Sequence, residues 1–209
     1  MSYVLVEYRN IHIDYENKKI INNFNLKVKK GDKILFKGRS GSGKSTLLKL
    51  IMGFSFPSEG LIYFNGNCLD CYNIWEVREQ VCYISQYLDI WEGPVTNIFD
   101  EIFSYRKNLD KFDRNKLEYF LEYFDLDHKI LQQDYDELSG GEKQRICIII
   151  ALLLDRDVYL LDEITSSLDQ NMKEKVINYF VGNKDWTLIV ASHDNQWEMD
   201  NMKVINIGD

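Results

Sequence analysis

The sequence predicts an α/β fold: a parallel sheet covered by helices, with an antiparallel β portion ahead of it and a helical segment inserted into it. Three observations carry this reading. The short apolar runs KILFKG, QVCYISQ, VYLLDE and TLIVASH each end in a polar or glycine-rich turn and alternate with helical stretches such as SGKSTLLKLIMG. That is the pattern of a parallel sheet whose ligands collect beyond the carboxyl ends of the strands. Near the N-terminus, the apolar and β-branched runs at 4–13 and 20–28 flank the polar YENKK and read as antiparallel strands, and LIYFNGN adds a hairpin turning at Asn65 and Gly66. Between residues 87 and 137 the strand signal lapses, and segments such as 115–124 space their apolar residues at helical intervals. The 209 residues are expected to form one domain, 1–209, with an inserted helical subdomain over roughly 87–155 and a closing strand in KVINI.

Composition narrows the class. Hydrophobic residues make up 45% of the chain, ample for a core, and a net charge of −8 with no basic face disfavours nucleic acid as a partner. The longest apolar run, 146–154, lies between Arg145 and Asp155, is too short to span a bilayer and reads as a buried helix. The start MSYVLVEYRN lacks the basic and apolar parts of a secretory signal, so the chain is expected in the cytosol with reduced thiols, without direct membrane insertion. Cys68 and Cys71 form a CxxC with no second pair, and Cys82 and Cys147 lie in apolar runs, so all four read as ordinary thiols. His12 and His128 read as ordinary polar residues, Lys27, Lys29, Lys30 and Lys33 as decoration of a β surface, and the aromatic residues of 119–124 as core contacts of the insertion.

The chemistry is concentrated in four places. GRSGSGKST follows the strand KILFK and opens a helix, the context that a phosphate-binding P-loop requires. Gly38, Gly41 and Gly43 let the backbone curl until its amides face phosphate oxygens, Lys44 neutralises the β and γ phosphates, and the Ser45 hydroxyl suits Mg²⁺. Arg39, Ser40, Ser42 and Thr46 complete the nucleotide-binding stretch, with the Arg39 side chain read as solvated but able to approach a phosphate. VYLLDE ends in two carboxylates, Asp162 to hold magnesium through water and Glu163 to act as general base on the attacking water. His193, at the end of TLIVASH, can reach a γ-phosphate, although a lone histidine is more often structural and it is the resemblance described next that favours the functional reading. Finally, Ser139, Gly140 and Gly141 in LSGGEKQR form a second phosphate-gripping helix start, with Lys143 and Arg145 supporting that helix.

Taken together, these motifs give a chain that resembles the ATP-binding cassette ATPases over nearly all its length. Tyr15, the P-loop at 38–45, Gln86 in YISQ, the signature at 138–145, Asp162 with Glu163, SSLD at 166–169 and His193 occur in the family's order. The resemblance implies a P-loop NTPase with a RecA-like parallel core sheet, an N-terminal antiparallel β subdomain and an inserted helical subdomain, using ATP and Mg²⁺. It assigns Tyr15 to stacking on adenine, Gln86 to magnesium and the attacking water, and Asp169 to communication across a dimer. It also implies that Ser139, Gly140 and Gly141 grip the ATP of a second copy, so that two copies face head to tail around two nucleotides. In transporters of the family, a groove near the glutamine loop receives a short helix of a membrane permease, which would hold the ATPase on the cytoplasmic face of the membrane. Tyr87, Leu88, Ile90 and Trp91 are candidates to line that groove, against the plainer reading that they pack inside the insertion.

Two departures from the family pattern matter. Ile164 stands where a proline often follows the catalytic glutamate, and with the small size of the chain this resembles a bacterial subfamily linked to iron export and metal tolerance. The chain also stops soon after KVINI, with no room for the C-terminal regulatory domain of some sugar-importer ATPases. The leading expectation is thus the ATPase motor of a separately encoded permease, possible cargo being metal or iron. The alternatives are a soluble cassette ATPase with a client such as iron-sulfur cluster assembly, and a nucleotide-gated binding module with negligible turnover.

Overall fold

Two sheets meet back to front across a shared apolar layer. The structure is a computed structural model that describes residues 3–16, 18–88 and 91–208. Strands β1 (Val4–Tyr15) and β2 (Lys18–Lys29) pair antiparallel, with Glu7 opposite Lys27. After β3 (Lys33–Lys37) and the helix α1 (Lys44–Ile51) come β4 (Glu59–Phe64) and β5 (Asn67–Cys68), and the antiparallel sheet runs in the order β2-β1-β4-β5. The β4–β5 hairpin turns at Asn65 and Gly66, whose φ values of 50° and 80° lie in the region that asparagine and glycine tolerate.

The second sheet is wholly parallel. The helix α2 (Ile74–Gln80) leads into β6 (Val81–Ile84), and α3 (Val95–Ser104), α4 (Arg114–Tyr123) and α5 (Gly140–Leu153) precede β7 (Val158–Asp162). The helix α6 (Gln170–Gly182), β8 (Thr187–Ala191) and β9 (Lys203–Asn206) complete the chain, and the order is β6-β7-β8-β3-β9. Alternate residues of these strands serve opposite faces, as the pleat requires. Ile34, Phe36, Leu160 and Ile189 join the core beneath α1 and the antiparallel sheet, whereas Leu35, Leu161, Leu188 and Val190 join a core shared with α3, α4, α5 and α6.

The helical segment therefore has no core of its own. Phe124, fully buried just after α4, lies 6.0 Å from the Tyr179 ring of α6, and Tyr179 in turn faces Trp186 at 6.1 Å. The run 146–154 is the apolar body of α5, as its lack of charge suggests, and Ile146, Ile148 and Ile149 are fully enclosed. Burial pushes the Cys82 thiol up to about 12 and the Cys147 thiol up to about 11, so both are held protonated and unreactive.

Two sequence expectations need correction. Lys33 does not decorate a surface: it opens the inner strand β3, is buried, and sends its ammonium to the carbonyls of Asn183 and Trp186, each at 2.6 Å. Its alkyl stem is enclosed while its charge finds the backbone acceptors left after α6 ends. Tyr119 is no core contact either, being 52% exposed, because α4 turns that position outward while burying Leu117, Phe120 and Leu121.

A shared core makes the insertion unfold with the sheet. Phe124→Ala should cost about 3–5 kcal/mol, and urea unfolding followed by helical circular dichroism and by tryptophan fluorescence should give coincident, equally shifted transitions. Two separate transitions, with only one shifted, would contradict the shared core.

Candidate active site

The parallel strands bring the chemistry together because they end at one level. Phe36 of β3 pairs with Ala191 of β8, Asp162 of β7 pairs with the same Ala191, and Ile84 of β6 pairs with Leu161. The P-loop, the two carboxylates, the His193 loop and Gln86 thus leave the sheet side by side. They border a cleft of about 920 Å³ that residues 39–46, Tyr15, Gln86, Glu163 and His193 line.

The P-loop is shaped by glycine where side chains would not fit. Gly43 has φ 97°, and a Cβ there would come within 2.8 Å of the Ile21 side chain; one on Gly38 would collide with the Ile207 carbonyl. Lys44 opens α1 and is buried, its ammonium folded back onto the carbonyls of Gly38 at 2.9 Å and Arg39 at 3.1 Å. The Ser42 hydroxyl is buried without a partner among the described residues. A cationic Nζ hydrogen-bonded to its own loop, a hydroxyl orphaned among the described residues and a helix N-terminus fit a polyphosphate.

At the end of β7, Asp162 is 2% exposed and accepts two hydrogen bonds, from the Ser45 hydroxyl at 2.7 Å and from the Tyr83 hydroxyl at 3.0 Å. Burial holds its carboxyl above the usual aspartate range, against the lowering effect of those two donors. The Tyr83 phenol is pushed up by burial and then by the charge of Asp162, so it remains a donor. A hydroxyl and a carboxylate converging beside a phosphate loop form a hard oxygen donor set that fits Mg²⁺.

Glu163 stands beyond the strand with φ 51°, an uncommon backbone conformation for glutamate. Its carboxylate accepts from the Ser192 hydroxyl at 3.3 Å, lies 3.0 Å from His193 Nδ1, and is 3.9 Å from Lys44 Nζ. The carboxylate is nearly enclosed, whereas the His193 side chain is 71% exposed and faces the cleft. Tyr15 is 67% exposed at the opposite rim, an open aromatic face for a planar ring.

Four of the sequence candidates lie elsewhere. Ser139 caps α5, and Gly140 and Gly141 pack that helix start against the 166–169 loop, where a Cβ on Gly141 would stand 3.1 Å from the Ser167 carbonyl. None of these three lines the P-loop cleft. Nor does Asp169, which caps α6 by accepting from the Met172 amide at 3.0 Å. Arg145 supports α5 as expected, bonding the carbonyls of Gly141, Phe124 and Asp125.

Sequence reasoning missed three residues. Glu142 completes a capping box, accepting from the Ser139 amide at 2.9 Å and hydroxyl at 2.6 Å, and the spacing Ser-x-x-Glu already announces it. Tyr83 shares a strand face with Asp162, which only the pairing of β6 with β7 reveals. Ser192 has no sequence signal beyond its place at a strand end.

A separate apolar groove of about 290 Å³ opens between β6, the start of the insertion and α5, lined by Tyr87, Leu88, Trp91, Ile102 and Leu154 among others. Trp91 also packs on Tyr135 at 5.8 Å, so groove lining and internal packing coexist. Ile90 lies outside the described residues.

Comparison with known proteins gives the family and supports the fold. The profile of the family described as "ABC transporter" matches residues 21–166. The probable iron export ATP-binding protein FetA of Escherichia coli (strain K12) is 35% identical over 193 residues, covering 91% of this chain and 85% of that protein. The energy-coupling factor transporter ATP-binding protein EcfA1 of Mycoplasmopsis synoviae (strain 53) is 36% identical over 179 residues, covering 83% of this chain and 67% of that protein. Among solved structures, the dimeric ATP-binding cassette MJ0796 bound to ADP and Pi superposes with a TM-score of 0.82 at 24% identity, over 98% of this chain and 94% of that one. A bacterial Atm1-family exporter with ATP bound gives a TM-score of 0.83 at 21% identity, this chain covering 38% of its length with 99% of its own.

The burial of Asp162 costs stability before any ligand arrives. A carboxyl whose folded value lies above its ordinary 3.8 binds more protons in the folded state, so its contribution declines as pH rises through the folded value. Asp162→Asn should therefore melt a few degrees higher than the parent at pH 7 without nucleotide, and this advantage should vanish below pH 3.8. An equal or lower melting temperature at pH 7 would contradict it.

Proposed function

The chain belongs to the ABC transporter ATPase family, and from that premise we propose that it is the ATP-hydrolysing motor of a transporter, working as a head-to-tail pair bound to a membrane permease. It binds ATP and hydrolyses it; the proposal concerns how its residues do so and with whom. The observation that carries it is the helix start at Ser139: exposed, positively poled and outside its own chain's cleft.

In this reading the triphosphate enters between Tyr15, which stacks on the base, and the P-loop amides of 38–46. Lys44 leaves the carbonyls of Gly38 and Arg39 for the β and γ phosphates, exchanging neutral acceptors for charged ones. Ser45, Asp162 and Gln86 would hold magnesium, which would neutralise phosphate charge. Glu163 orients the attacking water and receives its proton, and His193, already hydrogen-bonded to Glu163, reaches the γ-phosphate from the exposed side. Held by Ser192 and His193, the carboxylate is preorganised, which is the purpose a strained backbone at this position serves.

The second copy supplies Ser139, Gly140 and Gly141 to the γ-phosphate, and Asp169 at the neighbouring helix start relays between the two sites. Bound ATP then favours the closed pair, and hydrolysis removes the bridge. The apolar groove beside Gln86 is the docking place for a short permease helix. Since no helix among the described residues is long and apolar enough to cross a membrane, that partner brings the chain to the cytoplasmic face. For cargo, the similarity to the FetA protein and Ile164 after the catalytic glutamate support metal export. The single domain over 1–209, with its helical part at roughly 87–155, is the unit that performs all of this.

Glu163→Gln should bind ATP with magnesium, hydrolyse it at least a hundredfold more slowly and elute as a dimer on size exclusion, and the parent chain should co-purify with a multi-span protein from native membranes. A Glu163→Gln protein that stays monomeric with ATP would contradict the pair; a soluble client in place of the multi-span protein would contradict the permease.

A further inference from the structure

We propose that Tyr83 is a positioning residue for the divalent-cation site, its hydroxyl setting the orientation of the Asp162 carboxylate toward Ser45. This rests on the reading of Ser45 and Asp162 as magnesium holders. Among the described residues two side-chain donors reach that carboxylate, Ser45 on Oδ1 at 2.7 Å and Tyr83 on Oδ2 at 3.0 Å. The two are not equivalent. Ser45 lies on the helix that follows the phosphate loop and would offer the same oxygen to a cation, whereas Tyr83 is not among the groups that would hold the metal. Its hydroxyl donates to Asp162 from outside the group of candidate metal ligands. The terminal torsion of an aspartate is broad and roughly two-fold, so a carboxylate held by one donor would swing, and a second donor on its other oxygen, from a different strand, defines which oxygen faces the cation site.

The fold supplies that fixed origin. In the parallel register Tyr83 stands opposite Leu160, and Leu160 and Asp162 point to the same face of β7, so a long side chain from β6 reaches diagonally to the carboxylate. The phenol ring packs edge-on against Phe54 with centroids 6.0 Å apart. Phe54 in turn lies under the Arg78 guanidinium at 4.9 Å, and Arg78 is held by two bonds to the Met52 carbonyl, at 3.1 and 3.0 Å. The edge strand β6 also contributes Cys82, Tyr83 and Ile84 to the lining of the apolar groove.

The test uses the full chain and Tyr83→Phe, which keeps the ring and its contact with Phe54 and loses the hydroxyl. Mn²⁺ binding is measured by electron paramagnetic resonance in the presence of a non-hydrolysable ATP analogue, with Asp162→Asn alongside. We expect Tyr83→Phe to bind Mn²⁺ about tenfold more weakly, to bind the analogue unchanged in EDTA, and to recover the parent kcat at saturating Mg²⁺. If Asp162→Asn weakens Mn²⁺ binding and Tyr83→Phe does not, whatever its melting temperature, Tyr83 is a packing residue and the proposal falls while the metal reading stands. If neither variant changes Mn²⁺ binding, the reading of Asp162 as a metal holder fails and takes the proposal with it.

Discussion

The parallel pairing of β6, β7, β8 and β3 is the constraint on which the site depends. Side chains that lie 117 and 30 residues apart, as Ser45 and Asp162 or Glu163 and His193 do, meet only because each follows a strand that ends at the same level. A register slip of one residue would send Asp162 to the opposite face of the sheet and aim Leu161 at Ser45. The fully buried strands resist that slip, since both faces are committed to cores. The wide apolar contact between the sheet and the inserted helices thus serves the geometry of the nucleotide cleft as well as stability.

Against this background the site holds a tension. Lys44, Asp162 and Glu163 are buried charged groups, and enclosing such groups is costly unless each is paired. Lys44 is matched to Glu163 and to loop carbonyls, and Asp162 to two hydroxyls, all weaker partners than phosphate or a divalent cation. In the proposed function, their replacement by ATP and its metal would turn a poorly matched charge cluster into a well matched one and concentrate binding energy where the chemistry occurs. The helix start at Ser139 has the reverse problem: it is exposed, and its amide and hydroxyl are occupied by the Glu142 carboxylate, a local substitute for the anion that the proposed partner would bring.

Much of this was legible in the sequence, and the exceptions have physical reasons. The order of strands and helices follows from where apolar runs end, and the P-loop and the paired carboxylates carry their own local signals, whereas His193 was singled out only through the family resemblance. Tyr83 was invisible because its role needs the lateral pairing of β6 with β7, which no local pattern encodes. Lys33 was misread because a lysine at the start of an inner strand looks like its neighbours on a β surface until β8 and β9 are laid on either side of β3. Tyr119 was misread because helical spacing marks which positions share a face but a short amphipathic helix leaves the edge of that face ambiguous. Glu142 could have been read, since a capping box is written in consecutive residues.

The central claim is that each nucleotide is enclosed by the P-loop of one copy and the Ser139 helix start of another. It is tested most directly by mixing two inactive proteins, Lys44→Ala and Ser139→Ala. In a mixed pair, one site joins both lesions while the other joins an intact Lys44 to an intact Ser139. The account predicts that ATP hydrolysis reappears on mixing, rises with total protein concentration and approaches the rate of one parental site per mixed pair. If the mixture is no more active than its components at any concentration, while the parent hydrolyses ATP at a specific rate independent of dilution, the active site is complete within one chain and the account is wrong.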